Sequence, residues 1–151
     1  MTAERKREAY TAFLNGDPDK GLALASDLLT EHPDDITCLF MAGEILAKSH
    51  RYGLANPLFR RVIELAPEMP EAWHNLGHCL HVHHDLPGAV ECFAKSMELG
   101  GDDFHTISNM LLMNTVSGDQ ENAIGMLKSA LFHADNEEER KILDEILPGE
   151  S

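Results

Sequence analysis

Five histidines fall within eleven residues of the sequence, at positions 74, 78, 81, 83 and 84, and another stands at 105. Imidazole changes charge near neutral pH and is the commonest side-chain ligand for transition metals. On an α-helix the spacing of four then three puts His74, His78 and His81 on one face, with Glu71 three residues before them. Two chemistries suit that pattern. The three rings could hold a divalent transition metal such as zinc, nickel or copper, in which case affinity falls as pH drops through about 6.5 and protons take the ring nitrogens. Alternatively they form a polar wall of donors and acceptors facing a peptide. His83 and His84 fall in the turn that follows. The metal is the one cofactor the residues suggest. Catalytic chemistry has no matching pattern: there is no Gly-x-Ser-x-Gly elbow, no glycine-rich phosphate loop and no nucleophile with a base at a recognisable spacing. No catalytic residue is assigned, and the chain reads as a non-enzyme.

Charge narrows the partners. The 151 residues carry a net charge of -14, with acidic runs at Asp34-Asp35, Asp102-Asp103 and Glu137 to Glu139. Such a surface repels nucleic-acid phosphates and anionic lipid headgroups, so neither is an expected partner. Cys38, Cys79 and Cys92 are odd in number and none lies in a CxxC spacing, which points to reduced, buried thiols rather than a disulfide framework or a thiolate zinc site. The first ten residues lack the apolar core of a secretory signal, and no apolar run is long enough to span a bilayer, so a cytoplasmic protein is expected.

The elements that must carry these residues follow a 34-residue step. Ala55, Ala89 and Ala123 are 34 apart, as are Phe59, Phe93 and Leu127, then Leu39, Trp73 and Ile107, then Ala42, Leu76 and Met110; Pro33 and Pro67 share the step. A fixed period of this length marks stacked repeats that bury their apolar faces only against neighbours. The pattern divides the chain into four helix pairs over 2–35, 36–69, 70–103 and 104–135, with a covering helix over 136–147 whose stripe is Ile142, Leu143, Ile146 and Leu147. Nine helices in one domain are thus expected, and loss of residues 136–151 should expose the last pair. Gly16 and Asn15 end the first helix, Asp17 and Pro18 open the second, and a turn is expected near His50-Arg51. Pro57 falls near the start of a helix expected from about Arg51, where its cost is modest, and Pro87 sits in a first turn. Gly43 and Ala55 are small where two helices approach. Arg5 and Glu8 occupy places that are apolar in later repeats, as suits a terminal repeat.

Trp73, Leu76, Gly77, Leu80, Ala89, Phe93 and Ser96, preceded by Leu39, Ala42, Gly43, Leu46, Ala55, Phe59 and Pro67, resemble the signature of the tetratricopeptide repeat family over nearly the whole chain. Leu111 and Asn114 depart from it. These are packing residues, so Trp73 and the phenylalanines are expected in the core. The resemblance implies an all-α, right-handed α-solenoid of antiparallel helix pairs whose first helices line a concave groove for protein or peptide partners. The groove positions it assigns include Phe40, Met41, Glu44 and Lys48, then Glu71, His74, Asn75, His78 and His81, then His105, Ser108, Asn109 and Leu112. The carboxylate clamp of some family members needs several lysines and an arginine there, and only Lys48 is present. Asn75 and Asn109 share one register and are similar to the asparagine ladder of the O-linked N-acetylglucosamine transferases, whose amides grip a peptide backbone; the alternative is that both amides bond water or a neighbouring helix. The resemblance thus implies a protein- or peptide-binding scaffold, or alternatively the substrate-recruiting part of a larger enzyme such as a glycosyltransferase; the histidines and Glu44 add a preference for a polar or basic segment and, as a further alternative, a metal- or pH-responsive binder.

Overall fold

A computed structural model describes residues 2–101. All regular structure among them is α-helical: α1 Thr2–Leu14, α2 Pro18–Glu31, α3 Ile36–Lys48, α4 Tyr52–Leu65, α5 Pro70–Val82 and α6 Leu86–Glu98. The fourth helix pair and the covering helix expected over 104–147 lie outside the described residues. Two compact units meet in sequence between Glu68 and Met69.

In the N-terminal unit α1 packs on α2, α2 on α3, and α3 on α4. Its centre is built from small and branched residues, with Ala9, Ala25, Met41, Ala42 and Ile45 buried together and Phe13, Leu22, Leu24, Leu29 and Leu58 packed around them. In the C-terminal unit α5 packs on α6, burying Ala72, Leu76, Cys79 and Leu80 from one helix and Ala89, Val90, Cys92 and Phe93 from the other. Phe59 and Phe93 are fully buried, as expected of core rings, whereas Trp73 is only half-buried. A pair of glycines explains how the helices approach so closely. A Cβ added to Gly43 would lie 2.7 Å from the Phe59 ring, and one on Gly77 would lie 2.9 Å from Phe93. Each ring therefore occupies the space that a side chain would take.

One device closes α1, α3, α5 and α6. Gly16, His50, His84 and Gly100 have φ of 84°, 61°, 63° and 99°. The following N–H groups of Asp17, Arg51, Asp85 and Gly101 reach back to the carbonyls of Ala12, Leu46, Leu80 and Ser96 at 2.8–2.9 Å. This left-handed closure satisfies carbonyls that the helix end would leave unpaired. Two of its four left-handed residues are histidines, at the same step as Gly16. The helix starts are less uniform. Asp17, Asp35 and Asp85 accept bonds from the backbone N–H of Lys20, Cys38 and Gly88, while Arg51 and Met69 give no side-chain cap. α4 begins at Tyr52, so Pro57 is its sixth residue, past the first turn, and removes the N–H that would bond the Gly53 carbonyl. Gly53 is exposed, so water can take that carbonyl.

Candidate protein-binding faces

With its apolar side spent on α6, α5 leaves a strip of hydrogen-bonding groups on its other side. Glu71 and His78 are exposed, and His74, Asn75 and His81 are half-buried. The His74 ring lies 5.4 Å from the Phe93 ring at 58°, so a core aromatic orients it. Partial desolvation, then the nearby His74 and His81, hold the His78 imidazole below its ordinary value. His74 and His81, expected on one face with His78, thus both lie close enough for their charge to bear on it. Among the described residues, however, no group of three or more His, Cys, Asp or Glu side chains is arranged to hold a metal ion. His83 and His84 are exposed at the helix end.

The α3 residues separate into two environments. Phe40 is half-buried and meets Phe59 edge to face at 5.9 Å. Glu44 is half-buried, its carboxyl raised above the usual range by desolvation despite Lys48, whose Nζ lies 4.0 Å away. Lys48 also stands over the Phe13 ring, 5.5 Å from its centroid. Met41 is not on this face: it is 5% exposed and belongs to the core with Ala9 and Ala25. Because α3 packs on α2 as well as α4, the side of α3 that carries Met41 is covered by the preceding helix pair and is closed to a partner. His105, Ser108, Asn109 and Leu112 lie outside the described residues, as does any second rung of an asparagine ladder.

Two aromatics outside the expected groove set, Tyr10 and Phe13, belong with α3. Tyr10 is 40% exposed, its ring centroid is 6.3 Å from that of Phe13, and Leu14, one turn on, is 64% exposed. The signal that could have found this surface is the repeat step: Tyr10 precedes Glu44, and Leu14 precedes Lys48, by 34 residues. The three cysteines are buried, and burial pushes the Cys79 thiol up to about 11, which keeps it unreactive. Among the described residues no helix is long and apolar enough to cross a membrane.

No protein-family model matches the chain. Human tetratricopeptide repeat protein 7A is 28% identical over 88 residues, which is 58% of this chain and 10% of that protein. The general transcriptional corepressor ssn6 of Schizosaccharomyces pombe is 27% identical over 86 residues, 57% of this chain and 8% of its own length. The chain therefore spans a tenth or less of these curated relatives. Among solved structures, MamA of Desulfovibrio magneticus RS-1 has a TM-score of 0.70 at 19% identity, over 90% of this chain and 78% of that one. The Sgt2 TPR domain of Aspergillus fumigatus has a TM-score of 0.62 at 19% identity, over 95% and 80%. A mutant O-GlcNAc transferase of Thermobaculum terrenum has 0.67 at 21%, over 87% of this chain and 26% of that one. At such identities the structural likeness speaks for the fold. Helix pairs at a 34-residue step, neighbours of this fold and a relative bearing the repeat's name agree: the chain has the fold of the tetratricopeptide-repeat α-solenoids and is similar in sequence to a tetratricopeptide repeat protein.

Proposed function

We propose that this protein is a non-enzymatic cytoplasmic scaffold that holds a segment of a protein partner against the exposed side of its first helices. The observation that supports this reading most is the α5 strip, where Glu71, His74, Asn75, His78 and His81 are accessible to some degree while Leu76, Gly77 and Leu80 are buried. Imidazoles and an amide offer donors and acceptors to a partner's backbone without demanding one side-chain sequence. The net charge of -14 favours a polar or basic segment over an acidic one. The three histidines are assigned to the partner and not to a metal, because among the described residues no set of ligands is arranged to hold one.

The test is quantitative co-purification on the tagged full chain, comparing the parent with the Asn75→Ala/His78→Ala variant and with Glu91→Ala on α6. Loss of the specific partner by about tenfold from the double variant, with retention by Glu91→Ala and equal melting temperatures, is expected for a binding strip on α5. Equal retention by all three proteins contradicts it. A second reading, in which the chain recruits substrates for an enzyme such as a glycosyltransferase, is favoured by the likeness to the O-GlcNAc transferase structure, only 26% of which is matched. Recovery of a catalytic subunit or domain with the chain is the outcome that would select it.

A further inference from the structure

The N-terminal unit carries a continuous surface in which each member touches the next. Tyr10 packs near Phe13, Phe13 lies under Lys48, and Lys48 reaches Glu44. Leu14 extends the apolar part by one helical turn. Lys48 is the least committed element. Its side chain is 59% exposed, and 4.0 Å from Glu44 is the outer limit of an ion pair, so it is held weakly at both ends. Lys6, a base on α1, is already paired with Asp35 at 2.9 Å. Beneath the lysine lie two things that gain from a better cation: an aromatic face and a carboxylate partly removed from water.

We infer that this α1–α3 surface docks a peptide segment in which an arginine adjoins a large apolar residue, the guanidinium displacing Lys48 over Phe13 and beside Glu44 while the apolar side chain covers Tyr10 and Leu14. The inference rests on the scaffold reading above and deepens it by naming a partner. Arginine suits the position better than lysine because its planar head stacks on a ring and pairs a carboxylate at the same time. The strongly acidic chain attracts such a segment from a distance. Lys48 is then a resident competitor, which keeps Phe13 covered and Glu44 partly neutralised until the partner arrives. The raised carboxyl of Glu44 agrees with this, since an approaching cation offsets the desolvation that raises it.

NMR titration of the full chain reads weak binding and locates it. The probes are three synthetic peptides with Arg-Leu, Glu-Leu or Arg-Ser at the centre of a Gly-Ser frame. Arg-Leu should shift the amides of Tyr10, Phe13, Leu14 and Lys48, and the other two should shift them far less. Glu44→Gln should weaken Arg-Leu binding about tenfold, and Lys48→Ala, by removing the competitor, should tighten it about threefold. Weaker binding by Lys48→Ala, indifference to Glu44→Gln, preference for Glu-Leu, or no shifts at these amides each overturns the inference. Shifts confined to α5 overturn it while leaving the scaffold reading in place.

Discussion

At the scale of single residues, two kinds of position decide how tightly the helices close. Gly43 and Gly77 lie where Phe59 and Phe93 already fill the space. An alanine there forces a buried ring to move, at about 1–3 kcal/mol, against a helix-propensity gain of about 1 kcal/mol. Gly43→Ala should therefore lower stability by up to about 2 kcal/mol in urea unfolding, and Gly77→Ala somewhat less, because its contact is 2.9 Å rather than 2.7 Å. The left-handed histidines point the other way. His84 has φ of 63° in a register where Gly16 stands two repeats earlier, so His84→Gly should raise stability by about 0.5–1 kcal/mol. A fall in the urea midpoint would show that the exposed imidazole contributes more than the backbone strain costs. His78 supplies a pH dependence with a definite sign. Its imidazole sits below the ordinary 6.5 in the folded chain, so the folded state binds fewer protons than the unfolded one. That stability is fully present above 6.5 and is lost as pH falls through the lowered value. Glu44, raised by desolvation, acts in the opposite sense as pH falls toward the carboxylate range, so the comparison must be made against a variant. Between about pH 7 and pH 5 the parent's melting temperature should fall more steeply than that of His78→Gln. Parallel curves would remove His78 from the pH dependence.

At the scale of the helix, most of the architecture is legible in spacing. The step from Gly16 to His50 to His84 marks three turns of one geometry, and Pro33 and Pro67 follow the ends of α2 and α4. Capping is less legible, because it depends on a bond that only the structure displays. Asp17 and Asp85 cap α2 and α6, while Arg51, in the same register, makes no cap bond. Arg51→Asp should therefore stabilise the chain by about 0.5–1 kcal/mol, since a carboxylate there meets the first-turn N–H groups and the positive helix end. The substitution also removes the pairing of Arg51 with Asp19, but at 3.6 Å on an exposed surface that pair contributes little by comparison. No change in thermal unfolding would mean that the α4 start, with Pro57 close behind it, cannot close on a cap.

At the scale of the whole molecule, charge and repeat spacing convey the class of protein but not every binding residue. The α5 histidines stand out because their type is rare and their spacing helical. Met41 departs from its expected place because an apolar side chain in that register of α3 is drawn into the Ala9 and Ala25 core. Tyr10, Phe13 and Leu14 are hard to find because Arg5 and Glu8 make the first repeat look irregular, which hides that its solvent-facing register is intact. Both cases have one physical origin, since a register has no meaning until it is known what each helix packs against. On the proposed function, partners are expected to meet the chain on the first helices of its pairs and not on the second. Photo-crosslinking in the full chain measures this most directly, with a benzophenone amino acid placed at Asn75 on α5 or at Glu91 on α6 and the products identified by mass spectrometry. Adducts to a discrete protein partner should form from position 75 and be absent from position 91. Adducts from position 91 with none from position 75 would contradict the claim.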